Sequence, residues 1–264
     1  MNGLRHFLLA VQFFTRIPIT GRLAAFAGFS PEALRRSAAH FPGVGVLVGL
    51  VCGGSFWLLL GVFPETPATP WVCGVISTTV GVLFTGGFHE DGLADLADGL
   101  GGVVSRERAL EIMKDSRIGT FGALALILTL VGKLAMLCML AHVDWRLASL
   151  VIFAAHVVSR TTPLYVIASL KHVGDVDGSK SKPLADRITK EALLVGMIWC
   201  VGALTLVWWA APSAGWGRGL AGAALATWWV RRLLHGRLGG FTGDGLGTVQ
   251  QVSELAFYIG VAVA

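Results

Sequence analysis

Charge is what this chain has least of. Only 14% of its 264 residues are charged, against about 25% in a soluble globular protein, and that scarcity excludes an ordinary water-soluble domain. Cysteine builds no framework: Cys52, Cys73, Cys138 and Cys200 are scattered through apolar runs without CxxC spacing, so they read as buried small hydrophobes. No linker sets off a second soluble domain, and residues 1–264 read as a single membrane domain. No clean small-residue cleavage site follows the apolar stretch from His6 to Phe14, where Arg16 and Pro18 come instead. Residues 1–40 are therefore expected to form an amphipathic, interfacial segment rather than a signal peptide.

Apolar length is what the chain has most of. Hydrophobic residues make up 54% of it, and the mean hydropathy is +0.70. Runs that span or nearly span a bilayer occupy about 41–63, 71–88, 120–141, 146–170, 191–211, 217–234 and 250–264. The 35 Gly and nine Trp suit close helix packing and interfacial anchoring. The expected fold class is an all-α integral membrane protein, a polytopic bundle of about 6–7 transmembrane helices over residues 41–264. Seventeen of the 21 Lys and Arg fall in residues 1–40 or in alternate loops after the second, fourth and sixth runs. By the positive-inside rule, the N-terminus and those loops are expected to be cytoplasmic. The formal charge of +5 is thus accounted for by topology, and no nucleic-acid partner is expected. The bilayer is.

Against that background stands the segment from His89 to Gly99, with Glu90, Asp91, Asp95 and Asp98. Asp91, Asp95 and Asp98 fall at i, i+4 and i+7, within roughly 60° of helical arc. Carboxylates that close repel one another and lose hydration. A hard divalent cation relieves both costs, so the three are expected to hold Mg²⁺ or Mn²⁺. Glu90 lies off the main face.

Three further stretches carry polar chemistry on the same side. In Glu111-Ile112-Met113-Lys114-Asp115-Ser116-Arg117, Asp115 is a candidate general base beside a phosphate clamp, with an ordinary surface helix as the competing reading. Arg160 lies inside an apolar run and needs an anionic partner, whether ligand or acid; His156, one turn earlier, reads as a hydrogen-bonded bundle histidine. The loop from Lys171 to Lys190 includes Lys180 and suits either a phosphorylated substrate or lipid headgroups. The Gly-rich stretch Gly239-Gly240-Phe241-Thr242-Gly243-Asp244 frees backbone N–H groups for a phosphate and adds Asp244 as a second candidate base. The substrate-binding candidates are Lys114, Arg117, Arg160, Lys180, Thr242 and Gly243.

These motifs together resemble the cobalamin synthase family. The likeness runs from Phe13-Phe14-Thr15-Arg16-Ile17-Pro18 through Phe41-Pro42-Gly43-Val44-Gly45 to Gly239-Gly240 with Thr242-Gly243-Asp244. It is most specific in Gly86-Gly87-Phe88-His89, Asp91-Gly92-Leu93-Ala94-Asp95, Asp98-Gly99 and the stretch from Glu111 to Thr120. The resemblance implies an enzyme that joins adenosylcobinamide-GDP to α-ribazole or its 5'-phosphate and releases GMP. Asp95-Leu96-Ala97-Asp98-Gly99 is also similar to the acidic motif of CDP-alcohol phosphotransferases, but Leu100-Gly101-Gly102 stands where an Ala-Arg pair is expected. A phospholipid headgroup enzyme of that kind and a cation transporter are the alternatives. Against the transporter, the polar groups gather at one mouth and not at the midplane. Oligomeric state stays open, a homo-oligomer included.

Overall fold

A computed structural model describes residues 2–174 and 188–263. Among the described residues the apolar runs are helices, and α-helix is the only extended regular structure. The N-terminal segment forms three short helices, α1 (Asn2–Phe14), α2 (Gly21–Ala27) and α3 (Pro31–Ser37). Helix α1 buries Leu9, Ala10, Val11 and Phe14 and leaves Leu4 exposed, the one-sided burial of an amphipathic segment laid on a bundle. Then come α4 (Phe41–Val62), α5 (Thr69–Thr85), α6 (Phe88–Gly101), α7 (Arg106–Ile112), α8 (Thr120–Ser169), α9 (Lys190–Ala210), α10 (Trp216–Leu238) and α11 (Gly243–Ala262).

Helix α8 is two helices in one. Its helical geometry breaks at Asp144, whose φ of −156° and ψ of 109° are extended. Lys133 and His156 lie at similar distances along the chain on either side of that break, and both reach Glu254 on α11. The two halves must therefore run back along each other. Helix α4 packs antiparallel to the second half through Gly45, Gly49 and Gly53. A methyl group built at Gly49 or Gly53 would lie 2.8 Å from the Phe153 or Ser149 carbonyl oxygen. Backbones that approach this closely bind by van der Waals contact, which is what holds helices together where lipid supplies no hydrophobic drive.

Three described helical segments, Pro31–Val62, Thr120–Ser169 and Lys190–Ala210, are long and apolar enough to cross a membrane, with α5 and α6 as a fourth if that bent pair counts as one. Helices α10 and α11 fill the places of the sixth and seventh expected runs. They dilute their apolar length with Arg231, Arg232 and Arg237, or with Gln250, Gln251 and Glu254. Seven helical segments thus occupy the seven expected runs. Exposed Leu124, Ile127, Leu128, Ile198, Leu206, Trp208 and Trp209 form the kind of outer surface that lipid covers.

The sharpest feature is the 90° bend between α5 and α6. Gly86 and Gly87 both take positive φ, 75° and 70°, a region glycine enters without steric cost. The bend turns α6 out of the direction of α5 and across the end of the bundle. Basic side chains tie that end together. Arg237 donates to the Leu100 and Gly102 carbonyls at 3.3 and 2.9 Å, closing the C-terminus of α6, and Arg231 donates to Ser169 at the end of α8. The chain after α8 is pinned to the Gly-rich loop: the Phe241 N–H donates to Lys171 O and the Val173 N–H to Phe241 O, both at 2.9 Å. Two stretches far apart in sequence therefore meet beside the start of α11.

Candidate active site

Helix α6 crosses the first turns of α11 at near-backbone contact. A methyl group at Gly92 would stand 2.9 Å from the Asp244 Cα, so only glycine fits there. The Thr248 hydroxyl hydrogen-bonds the Gly92 carbonyl at 3.1 Å. Thr242 caps α11, its hydroxyl accepting the Gly245 N–H at 3.1 Å. This crossing brings Asp244 alongside Asp91 and Asp95.

The acidic face of α6 divides its labour. Asp98 accepts the Gly119 N–H on Oδ2 at 2.7 Å and the Gly122 N–H on Oδ1 at 2.8 Å. It is the cap that the first turn of α8 otherwise lacks, since the residue at its start, Gly119, has no side chain to offer. Asp91 is exposed and Asp95 half-buried. Both lie on the turned-away α6, and Asp244 lies in the first turn of α11 ahead of its apolar run. Burial pushes the Asp95 carboxyl up to about 7, and Asp91, Asp244 and Asp98 add to the rise. Burial likewise raises Asp244 to about 6, with Asp91 contributing. Asp95 and Asp244, on two different helices, thus both resist ionising.

Asp91 and Asp95 on α6 border a cleft of about 1310 Å³. They form one wall, and Arg16, with the Gly86–Gly87 bend, forms another. The Arg16 N–H donates to Phe84 O at 2.7 Å, and its guanidinium lies over Gly86, where a Cβ would come 2.8 Å from Arg16 Cζ. Arg16 was legible only as part of a motif; the physical signal is an arginine directly after the last turn of an amphipathic helix, aimed back at the bundle. Ser116 and Ile118 close the rim.

The first candidate base looks different in place. Asp115 is gripped by Arg117, whose Nε donates to Oδ1 at 3.0 Å and whose Nη2 donates to Oδ2 at 2.6 Å. The guanidinium holds the Asp115 carboxyl down at about 2. A carboxylate that far below neutrality is a poor proton acceptor. Arg117 spends its fork on that carboxylate, and Lys114 stands exposed on the same short loop. Arg160 is buried at 5% exposure, and its Nη1 reaches His156 Nδ1 at 3.0 Å. Gly243 borders a second, smaller cavity with Arg160. Lys180 lies outside the described residues.

Beneath the cleft lies a polar network read from sequence only in fragments. Lys133 pairs with Glu254 at 3.0 Å and donates to Gln251 Oε1 at 2.7 Å. Gln250 donates to Glu254 Oε2 at 2.7 Å, and the Tyr258 hydroxyl to Glu254 Oε1 at 3.1 Å. Gln251 reaches up to Glu90 Oε1 at 2.9 Å. The signal available was Lys133 inside an apolar run, a charge that needs a partner somewhere in the bundle.

The donor set suits a hard divalent ion: carboxylate oxygens that lose repulsion when a cation arrives. No three His, Cys, Asp or Glu side chains among the described residues are grouped closely enough to hold an ion unaided. An ion here would need waters or substrate phosphate oxygens besides one or two carboxylates. Asp91 and Asp95, with Asp244 opposite, fit the role; Asp98 is already committed to backbone.

The family described as Cobalamin-5-phosphate synthase matches residues 6–262. A relative in Albidiferax ferrireducens is 54% identical, the match covering 98% of each chain. One in Polaromonas sp. is 53% identical over 98% of this chain and 97% of that one. One in Vibrio cholerae is 40% identical over 96% and 91%. All three bear the name adenosylcobinamide-GDP ribazoletransferase. No solved structure matches the chain.

Proposed function

The chain belongs to the cobalamin-5-phosphate synthase family and is a transferase, and from that premise we propose how its cleft works. The reaction joins adenosylcobinamide-GDP to α-ribazole or its 5'-phosphate. The ribazole 3'-hydroxyl attacks the phosphorus that carries the cobinamide arm, the pyrophosphate P–O bond breaks, and GMP departs. The β-phosphate stays with the corrinoid. Chemistry takes place at the cytoplasmic mouth of a multi-pass inner-membrane protein. Support comes from the basic residues Arg16, Arg231 and Arg237, which gather at the end of the bundle where α6 lies.

The observation that carries this reading is the meeting of unbalanced acids with a cation across one cleft: Asp91 and Asp95 across from Arg16, with Asp244 close beside those two acids. A pyrophosphate together with a divalent cation would answer both walls, the cation relieving the carboxylates and the phosphate oxygens pairing with Arg16. Mg²⁺, when bound, neutralises the pyrophosphate and the charge that builds on departing GMP. Asp91 and Asp95 are the side chains to hold it. Arg16 forks onto the non-bridging phosphate oxygens, as guanidinium does wherever planar, bidentate contact with phosphate is needed. Asp244 accepts the proton of the ribazole hydroxyl. Its raised affinity for a proton suits a base, while Asp115, pinned by Arg117, does not compete. Asp98 keeps α8 against α6 so that the acids stay in register.

The test is product identity. Purified protein in detergent, given adenosylcobinamide-GDP and α-ribazole with Mg²⁺, releases GMP and forms the joined corrinoid. It releases no CMP from a CDP-linked lipid. Release of CMP without GMP overturns the proposal.

A further inference from the structure

The smaller cavity beside the cleft has a composition of its own. Its walls include Phe14, Phe41, Phe88 and Pro163, and its three polar side chains are His89, Arg160 and Gln250, the last already bonded to Ser159 and Glu254. The aromatic rings are locked against one another: Phe14 meets Phe41 edge-on at 4.3 Å between centroids, and Phe88 meets Phe14 edge-on at 5.7 Å. His89 lies face to face with Phe14 at 6.1 Å and 18°. It is 6% exposed. The slot is therefore flat-sided, apolar and rigid. Phe88 is shared with the carboxylate cleft, so whatever fills the slot has its other end beside the acids.

Arg160, which borders both this slot and the buried polar region beside it, has a donor to spare. Its Nη1 is used on His156, but its Nε is buried and has no hydrogen-bond partner. A buried donor left unmade destabilises the fold, so a ligand acceptor there is favoured. The charge around it says what kind. Arg160 and Lys133 are already balanced by Glu254 and Glu90, all bordering the same buried polar region. A phosphate dianion inserted at Arg160 would leave that interior negative, and four apolar walls would desolvate it. A neutral ring with one lone pair upsets neither balance.

We propose that the slot between α1, α4 and α6 takes a neutral, planar nitrogen heterocycle, the base of the acceptor nucleoside, with a ring nitrogen accepting the Arg160 Nε–H. This rests on the ribazole-transfer reading and assigns its acceptor end. The sugar then emerges past Gly243 toward Asp244, and the donor's pyrophosphate occupies the wider cleft on the other side of Phe88. Each substrate has its own chamber, and the acids stand where the two open onto each other.

Three probes test it on the purified full-length protein: benzimidazole, its carbocyclic counterpart indene, and inorganic phosphate, each followed by ligand-observed NMR and by inhibition of GMP release. Benzimidazole is expected to raise the apparent KM for the acceptor while leaving kcat and the KM for the donor unchanged. It should bind about tenfold more tightly than indene, the worth of one satisfied buried donor. Arg160→Lys should erase that preference, and Phe88→Ala should weaken both rings together. Equal binding of the two rings, displacement of benzimidazole by phosphate, or competition with the donor instead of the acceptor would each overturn the inference. The slot and the reaction also fail separately. Arg160-dependent benzimidazole binding in a protein that releases no GMP keeps the slot and removes the reaction. GMP release that benzimidazole inhibits without competing against the acceptor does the reverse.

Discussion

Glu254 and Asp95 are both acids on bundle helices, and their surroundings are opposite. Glu254 is 3% exposed and receives Lys133, Gln250 and Tyr258 on its two oxygens. The groups that act on Asp95 are other carboxylates. The first acid is finished by its own protein; the second is left short of positive charge. Buried ion pairs with their hydrogen bonds completed hold an arrangement in place, whereas like charges crowded at a cleft store a demand that a ligand meets. The division between scaffold and site in this chain is therefore a division between paired and unpaired acids, one helix apart.

The largest effect should come from unpairing the paired acid. Glu254→Ala strands Lys133 in the bundle and is expected to cost about 3–5 kcal/mol, read as a lowered melting temperature in detergent. The double variant Lys133→Met, Glu254→Leu should recover most of the loss, because an apolar pair of similar size leaves no charge behind. If the single and double variants melt alike, Glu254 is not held by Lys133 in the way the 3.0 Å contact implies.

Asp95→Asn should do the contrary. Turnover is expected to fall about a thousandfold, roughly 4 kcal/mol of transition-state stabilisation, while the melting temperature stays level or rises because repulsion has been removed. A variant that loses activity and melts lower would move Asp95 into the scaffold class. Asp98 sharpens the boundary, since it lies on the acidic face yet accepts two backbone N–H groups. Asp98→Ala should destabilise by about 2 kcal/mol through the lost charge-assisted cap. Loss of magnesium dependence with an unchanged melting temperature would return Asp98 to the ligand set.

A pH titration separates the same two classes without mutation. The folded-state proton affinity of Asp95 is raised to about 7 from an ordinary 3.8. Between those values the folded chain holds more protons than the unfolded one, so stability falls as pH rises through that window. Without divalent ions the melting temperature should be lower at pH 8 than at pH 5. Mg²⁺ should raise it more at pH 8, where the acids are ionised. Asp95→Asn should flatten both trends, and an Mg²⁺ effect that survives in that variant would locate the ion elsewhere.

Sequence alone carried the helical segments and the clustered motifs, because membrane spans announce themselves by length and apolarity. It also placed Asp91 and Asp95 on one face, since helical spacing is local arithmetic. What it could not carry was the partner of each polar group. Asp98 shares the spacing of its neighbours, and only the docking of α8 reveals that Gly119 and Gly122 claim its oxygens. Asp244 lies far along the chain from Asp95, and the crossing at Gly92 joins them. Arg16 precedes the Gly86–Gly87 bend by four helices and reaches the cleft only because α1 folds back onto the bundle.

Asp115 gives the smallest expected effect and the clearest limit on reading a base from a motif. It sits beside Arg117 in sequence, which reads equally as a clamp next to a base or as a closed ion pair, and the contacts are those of the pair. With its proton affinity held down at about 2, Asp115 is ionised throughout the range in which the enzyme can be assayed. Its titration cannot shape an acidic limb there. Asp115→Asn should therefore keep turnover within about threefold, the scale of a surface ion pair, and keep the acidic limb of the pH–rate profile. Asp244→Asn should remove that limb, which in the loaded enzyme falls below the value of about 6 found without an ion, because a nearby cation lowers a carboxyl's affinity for its proton. An acidic limb that vanishes with Asp115 and survives the loss of Asp244 would reverse the two assignments, and would require Arg117 to release Asp115 when substrate binds.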